Sequence, residues 1–233
     1  MEERFARIGA LIGEEALNKI RKAHVMVVGC GAVGSFAIEA LARSGVSCLT
    51  LVDFDRVEPS NLNRQLVALH STLGQAKTSV AKKRVLDISP DATVTEVETF
   101  LDETNVDDIL SLEPDFVIDA IDSLDSKAVL IEALQEREFP FISSMGAARR
   151  FSTRLIEVTK MSKTHTCPMA ATLRQKLRHR KVSLDFKCVY SSEAPRPVLS
   201  ETPGVFGSFV TVTGIFGLTL AHEAINYLIK KEA

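Results

Sequence analysis

The stretch HVMVVGCGAVGSFAIEALARSGVSCLTLVDFD, residues 24–55, decides the fold. An apolar run precedes the glycines Gly29, Gly31 and Gly34, a helical pattern follows them, and the next apolar run ends at Asp53. This order is typical of a strand, a glycine turn and a helix that hold a phosphate group at the helix N-terminus. Asp53 is placed to accept hydrogen bonds from ribose hydroxyls. The motif predicts a nucleotide site but leaves NAD, FAD and ATP open, because all three contain an adenosine ribose.

Length and composition favour an ordinary globular protein. The chain has 233 residues, of which 45% are hydrophobic and 25% charged, and its formal net charge is −2. That charge gives no overall preference for nucleic acid or anionic membranes, so any basic site must be local. The N-terminal segment MEERFARIGALIGEEAL carries charges where a secretory signal would be apolar. We therefore expect a cytoplasmic protein.

The pattern of apolar runs predicts a Rossmann-like α/β fold, a doubly wound, mostly parallel sheet with helices on both faces. Strands are expected at 25–28, 49–52, 93–97, 116–118 and 140–144. Helices are expected at 33–43, 74–88, 106–112 and 126–137. After residue 146 the pattern changes to two strands, 154–159 and 185–190, around a basic helix at 170–180. We predict one domain, with a nucleotide-binding part at 1–146 and a C-terminal α+β elaboration at 147–233.

The segment 52–77, VDFDRVEPSNLNRQLVALHSTLGQAK, separates ATP from the dinucleotides. A nicotinamide cofactor presents only a bridging pyrophosphate, whereas ATP adds terminal phosphates whose charge must be matched when pyrophosphate leaves. Asn61, Arg64, Gln65 and Lys77 are candidate donors to those phosphates. On spacing alone, a solvated loop with a surface lysine is an equal alternative.

Five motifs in order carry a family resemblance: GCGAVG, LVDFD, SNLNRQ, GQAK and VIDAIDS. Together they resemble the ubiquitin-activating-enzyme-like adenylation family, over residues 3–146. The resemblance implies a Rossmann-like, normally homodimeric ATP-binding domain. It implies a nucleotide-binding set made of Gly29, Gly31, Gly34, Asp53, Asp55, Asn61, Arg64, Gln65 and Lys77.

The same resemblance implies the catalytic groups. Arg64 and Lys77 would stabilise the phosphates, and Asp122 would hold Mg²⁺ at the reacting phosphate, since Mg²⁺ prefers one or two carboxylates with phosphate oxygens. Asp119, three residues earlier, is the competing carboxylate. An arginine of the N-terminal segment, Arg4 or Arg7, would act as an arginine finger on the partner subunit, with a plain surface arginine as the alternative.

The second half favours a tRNA-modifying branch of this family. Residues 166–197, TCPMAATLRQKLRHRKVSLDFKCVYSSEAPRP, and 204–231 resemble the bacterial dehydratases of threonylcarbamoyladenosine in tRNA. In that chemistry ATP adenylates the threonyl carboxylate of the modified nucleoside and the carbamoyl oxygen closes a ring, so that no enzyme thiol is needed. The alternative is adenylation of the C-terminal carboxylate of a small sulfur-carrier protein. The enzymes of that branch usually hold zinc with two CxxC pairs, which this sequence lacks.

The basic run RQKLRHRK, 174–181, is the candidate tRNA surface. The residues concerned are Arg174, Lys176, Arg178 and Arg180, with Arg149, Arg150 and Arg154 as a possible extension. A solvated helix face is the alternative. We expect tRNA, and no DNA, as the nucleic-acid partner.

The remaining features are four cysteines and an uncharged stretch. Cys30 and Cys48 are expected to be buried and inert. Cys167 and Cys188 leave a thiol relay open, with a cysteine desulfurase as its partner, because Cys167 stands where the branch commonly has an acidic residue. Residues 205–221 carry no charge. We expect a helix in the core or a dimer interface there, and no stable membrane insertion, because the stretch is shorter than about 20 residues.

Overall fold

A computed structural model describes residues 3–202 and 205–231. Its single seven-stranded sheet has the order β3-β2-β1-β4-β5-β7-β6. The strands are β1 (His24–Val28), β2 (Cys48–Val52), β3 (Thr93–Val97), β4 (Phe116–Asp119), β5 (Phe141–Ser144), β6 (Ile156–Lys160) and β7 (Lys187–Ser191). Only β6 runs antiparallel to its neighbour, β7. The predicted Rossmann-like, mostly parallel sheet is confirmed.

Helices cover both faces of this sheet. They are α1 (Ala6–Ile12), α2 (Glu14–Lys22), α3 (Gly34–Arg43), α4 (Lys77–Ile88), α5 (Val106–Leu110), α6 (Leu124–Glu136), α7 (Pro168–His179) and α8 (Val210–Lys230). One hydrophobic core joins the sheet to α2, α3, α4 and α8, and the others join it to α5, α6 and α7.

The β1 strand shows why its apolar run is continuous. Val25 and Val27 face the core under α3 and α8, whereas Met26 and Val28 face the core under α5 and α6. A strand covered by helices on both sides has no solvent face to fill with polar residues. The sheet therefore lies at the centre of the molecule, and ligands can reach it only at an edge where strands end.

The strand order shows at which edge of the sheet a ligand can bind. From β1 the chain first adds β2 and β3 on one side and then crosses to add β4 and β5 on the other. The carboxyl ends of β1 and β4 are thus the switch point of the sheet, where open α/β folds bind ligands. The glycine turn after β1 lies at this point, next to the backbone of Ala120 after β4.

The C-terminal helix α8 packs directly on α3, the helix that follows the glycine turn. A Cβ atom added at Gly217 would lie 2.3 Å from the carbonyl oxygen of Val33 and 2.7 Å from Cβ of Phe36. At Gly214 it would lie 3.3 Å from the ring of Phe36. Glycine is needed at position 217 for the approach of the two helices, so the last helix of the chain supports the helix of the nucleotide motif.

By length and hydropathy, α8 would also qualify as a membrane span. Half of its most apolar window is buried inside the protein, including Phe216 and Leu220. This burial accounts for the uncharged stretch and supports the prediction of a core helix.

The contact between α8 and α3 yields a stability prediction. Replacing Gly217→Ala should lower the free energy of unfolding by about 1–3 kcal/mol, because overpacking outweighs the better helix propensity of alanine, about 1 kcal/mol. Urea denaturation measures this change. Gly207→Ala is the matched control, since a Cβ there would meet nothing within 4 Å. Equal stability of the two variants would contradict the packing role of Gly217.

Candidate functional site

A cleft of about 790 Å³ opens at the carboxyl ends of β1, β2, β4 and β5. It collects most of the residues predicted to bind the nucleotide and the metal ion. The predicted residues that line it are Gly29, Gly31, Asp53, Asp55, Arg64, Gln65, Lys77 and Asp122. Gly34 and Asn61 do not line it.

The three glycines of the turn have different roles. Gly29 has a φ of +96°, and a Cβ atom there would lie 2.7 Å from the carbonyl oxygen of Ala120. At Gly34 a Cβ would lie 1.7 Å from the carbonyl oxygen of Gly29, so this residue allows α3 to start against the turn. At Gly31 a Cβ would make only an ordinary contact, 3.8 Å from Nε2 of Gln65. Gly31 therefore has no packing requirement for glycine, whereas Gly34 has one, and the phosphate contacts of both stay predictions.

Asp53 is held in place by the backbone around it. One carboxylate oxygen accepts the N–H of Cys30 at 2.6 Å and the other accepts the N–H of Asp55 at 2.8 Å. Burial raises the pKa of Asp53, and the two backbone hydrogen bonds oppose that shift. Each oxygen keeps a lone pair for a further donor, which suits a carboxylate that receives two ribose hydroxyls.

Two phenylalanines beside Asp53 form an apolar wall that the motif analysis did not single out. Phe54 and Phe100 line the cleft, and their ring centroids lie 5.0 Å apart in an edge-to-face arrangement. Both side chains are exposed. The position of Phe54 next to the ribose-binding candidate was the available signal, and a purine base can stack on such a surface.

Lys77 is a buried cation at the first turn of α4. Its side chain is 6% exposed, and its ammonium donates to a carboxylate oxygen of Asp55 at 2.6 Å. A buried ammonium needs such a partner. The sequence alternative of a surface lysine is therefore wrong.

The loop 59–65 presents the other polar donors. Arg64 is partly exposed and donates to the carbonyl oxygen of Ser60 at 2.7 Å. Gln65 is buried, and its Oε1 atom has no hydrogen-bond partner within the described residues. Asn61 instead caps the short 3₁₀ helix Pro59–Asn61, because its Oδ1 accepts the N–H of Glu58 at 3.1 Å. The structure thus gives Asn61 a part in shaping the loop rather than a contact with the cleft.

The two candidate carboxylates after β4 have opposite surroundings. Asp119 is fully buried and accepts hydrogen bonds from Lys127 at 2.7 Å and from Ser143 at 2.5 Å. Asp122 is exposed in the cleft and makes no hydrogen bond or ion pair with the described residues. Asp119 is therefore committed to the core, and Asp122 is the carboxylate that can reach a ligand.

The donor set of the cleft fits a Mg²⁺ ion that is brought in by phosphates. Within residues 3–202 and 205–231 no group of three or more His, Cys, Asp or Glu side chains could hold a metal ion by itself. Mg²⁺ is commonly bound by one or two carboxylates together with phosphate oxygens and waters, for which the single free carboxylate of Asp122 is sufficient.

The segment after β5 brings two arginines into the cleft that the sequence had suggested for an outer basic patch. Arg149 and Arg150 both line the cleft. Arg150 is only 4% exposed, and neither its Nε nor its Nη1 atom has a partner among the described residues. Arg154 alone is exposed. The suggested extension of the tRNA surface is thus wrong for Arg150.

Three of the four candidate tRNA-binding residues on and next to helix α7 have hydrogen-bond or ion-pair partners within the protein. Arg174 donates to the carbonyl oxygen of Thr164, Lys176 pairs with Asp125, and Arg180 pairs with two carboxylates. The two carboxylates of Arg180 are Glu103 and Glu132. Arg178 is exposed and makes no such contact within the described part of the chain. Contact of these four residues with tRNA stays a prediction, and of the four Arg178 is the one whose side chain has no ion pair or hydrogen bond among the described residues.

The N-terminal arginines do not line the cleft of their own chain. Arg4 pairs with Asp91, which precedes β3 and so stands at the amino end of the parallel strands. Neither Arg4 nor Arg7 lines the cleft, which opens at the carboxyl ends. An arginine finger supplied across a dimer stays a prediction.

The cysteines are mostly enclosed. Cys30, Cys167 and Cys188 are buried, with Cys167 at the edge of the cleft and 3% exposed. Burial raises the pKa of Cys188 to about 12, and the neighbouring Cys167 adds to the shift. Cys48 is only partly buried, so the prediction for it holds in part.

The raised pKa of Cys188 predicts low thiol reactivity. The thiolate is the reactive form, so iodoacetamide at pH 7.5 should leave Cys30 and Cys188 unlabelled in the folded protein and label both in urea. Peptide mass spectrometry measures the labelled fraction. Cys48 is the internal control, because its partial exposure should give the faster labelling. Labelling of Cys188 as fast as that of Cys48 would contradict this picture.

Comparison with known proteins gives one family. The model of the ThiF family matches residues 5–233. The chain is 41% identical to the tRNA threonylcarbamoyladenosine dehydratase of Bacillus subtilis over 195 residues, which are 84% of this chain and 77% of that protein. It is 36% identical to the Escherichia coli protein of the same name over 255 residues, 99% of this chain and 95% of that one.

The same likeness extends to three dimensions. The crystal structure of the E. coli tRNA N6-threonylcarbamoyladenosine dehydratase in complex with AMP matches with a TM-score of 0.92 and 38% identity. The match covers 97% of this chain and 94% of that one. The structure of the same E. coli enzyme in complex with ATP matches with a TM-score of 0.91.

Proposed function

The chain belongs to the ThiF family, and from this premise we propose that it is an ATP-dependent dehydratase of threonylcarbamoyladenosine in tRNA. One observation carries the proposal: the likeness to the ATP-bound E. coli dehydratase extends over 97% of the chain. The cleft at the switch point of the sheet supports it, since it holds the glycine turn, Asp53, Lys77 and Asp122 together.

The proposed reaction has two steps. A carboxylate oxygen of the threonyl group attacks the α-phosphorus of ATP, and pyrophosphate leaves with the electrons of the broken P–O bond. The carbamoyl oxygen then attacks the activated carbonyl carbon, AMP leaves and one N–H proton is lost to solvent. The nucleophile of the second step belongs to the substrate, so the buried thiols have no required part. Proximity of the two groups in one nucleoside lowers the barrier to ring closure.

Different residues of the cleft bind the ribose and the phosphates of ATP. Asp53 binds the ribose hydroxyls, and the backbone at Gly29 and Gly31 faces the phosphates at the start of α3, where the helix dipole favours an anion. Arg64 and Lys77 stabilise the charge of the leaving pyrophosphate. Lys77 already pairs with Asp55 at 2.6 Å, so we expect phosphate oxygens to compete with Asp55 for its ammonium.

Asp122 is the proposed ligand of Mg²⁺. Bound there with phosphate oxygens, the ion would supply positive charge at the reacting phosphate. Asp119 keeps Lys127 paired beneath it and does not take this role.

Several partners belong to the same proposal. A homodimer in which Arg4 or Arg7 reaches the partner's cleft is supported by two exposed apolar side chains, Phe206, which lines the cleft, and Phe209. For tRNA, Arg178 and Arg154 are exposed and have no ion pair among the described residues, so they can meet phosphates directly. Arg174, Lys176 and Arg180 would first exchange their present partners for phosphates. A sulfur relay from a cysteine desulfurase gains no support, since Cys167 and Cys188 are buried.

The decisive test is mass analysis of nucleosides from tRNA incubated with the protein, ATP and Mg²⁺. The threonylcarbamoyladenosine peak should lose the mass of one water, and the loss should require ATP. Omission of ATP and its replacement by NAD are the controls. If tRNA stays unchanged while a small carrier protein is adenylated at its C-terminus, the proposal is wrong and the carrier-protein function takes its place.

The role of Asp122 predicts a separation of activity from stability. Asp122→Ala should lower kcat by at least about 100-fold, an effect of roughly 2.7 kcal/mol, while the melting temperature stays nearly unchanged. Asp125→Ala is the matched control, because Asp125 is an exposed carboxylate three residues later that pairs with Lys176 outside the cleft. Comparable activity of the Asp122 and Asp125 variants would remove Asp122 from the mechanism.

A further inference from the structure

Arg150 is a buried cation without a partner. Its side chain lines the cleft, its residue is 4% exposed, and its guanidinium makes no hydrogen bond or ion pair with any residue of 3–202 or 205–231. A buried charge is stable only when it is paired or hydrogen-bonded. The two other buried cations near the cleft obey this rule, since Lys77 pairs with Asp55 and Lys127 with Asp119.

The backbone around Arg150 is anchored, although its side chain is not. The N–H groups of Phe151 and Ser152 both donate to one carboxylate oxygen of Glu193, each at 2.8 Å. On the other side, Arg149 donates its Nε–H to the carbonyl oxygen of Arg196 at 2.6 Å. Glu193 is used by these backbone groups and by Arg196, and it forms no bond with Arg150. The backbone that carries the unpaired guanidinium is thus held on both sides of Arg150.

The order of groups along the edge of the sheet indicates which anion Arg150 would bind. Asp53 follows β2, the glycine turn follows β1 and Asp122 follows β4, so ribose, phosphates and reacting phosphate would succeed one another in this direction. Arg150 follows β5, the next strand, and its loop is fixed to residues beyond β7. It therefore stands past the reacting phosphate, on the side from which the acceptor must approach.

We infer that Arg150 binds the carboxylate of the substrate, the group that becomes adenylated, and holds it against the α-phosphate. This inference rests on the proposed function. The planar guanidinium fork matches a carboxylate in shape and charge. It also offsets the repulsion between two anions that must react with each other.

The test compares two synthetic tRNAs that carry threonylcarbamoyladenosine and differ only in the threonyl group, a carboxylate in one and a carboxamide in the other. Binding is measured with α,β-methylene ATP, which blocks adenylation. The wild-type protein should prefer the carboxylate by about tenfold, the size of one charged hydrogen-bonded contact. In Arg150→Gln this preference should disappear, and in Arg150→Lys it should be partly kept because the charge remains.

Two controls make the result specific. Arg154→Gln removes an exposed arginine four residues away and should change the affinity for both tRNAs alike, so that the preference persists. The melting temperature of Arg150→Gln without ligands should not fall, because an unpaired buried charge is removed.

Failure of the inference and failure of the proposed function give different results. If Arg150→Gln keeps the carboxylate preference, the inference is overturned, whether or not the variant also loses affinity for the ATP analogue. If the wild-type protein binds neither tRNA and leaves threonylcarbamoyladenosine unchanged in the nucleoside assay, the proposed function is wrong, and the inference that rests on it is wrong as well.

Discussion

The close approach of backbone at the glycine turn is the constraint on which the site depends. Gly29 passes against the carbonyl group of Ala120, and α3 begins against Gly29 because Gly34 has no side chain. On its far side α3 is met by α8 at Gly217, in contact with the carbonyl oxygen of Val33. Three glycines thus clamp the start of α3 between a sheet edge and the last helix of the chain. The N-terminal end of α3, and with it the positive end of the helix dipole, is fixed next to the glycine turn for this reason.

The charged groups in and below the cleft differ in how far they are paired. Asp119 and Lys127 neutralise each other in the core and fix β4 to α6. Lys77 and Asp55 also pair, but Asp55 is half exposed, so this pair can exchange with phosphate. Arg150 is buried, and its Nε and Nη1 atoms have no hydrogen-bond partner among residues 3–202 and 205–231. Removing one member of a buried pair is costly, whereas an unpaired buried charge favours an incoming anion. The buried pair therefore stabilises the sheet below the cleft, whereas Lys77 and Arg150 give the cleft cations that an anionic ligand can reach.

The sequence alone was sufficient for the architecture, and most of the residues that it predicts to bind the nucleotide line one cleft. The strand and helix predictions rest on local signals, namely continuous apolar runs and helical periodicity, and these signals persist in the folded chain. The order of the motifs was enough to collect Gly29, Asp53, Lys77 and Asp122 in one cleft, because parallel strands end at the same edge. Phe54 was missed although it lies in the LVDFD motif, because its role depends on a contact with Phe100 from a distant segment that belongs to no motif.

Tertiary structure decided which charged groups are free. The basic run of α7 looks uniform in sequence, but Arg180 pairs with Glu103 and Glu132, 77 and 48 residues away along the chain. Arg150 resembles its neighbours Arg149 and Arg154 in sequence, and only the fold buries it in the cleft. Local patterns determine how backbone hydrogen bonds are satisfied, and hence the elements and their order. The partner of a charged side chain depends on which segments, distant in the sequence, come into contact, and tertiary packing determines those contacts.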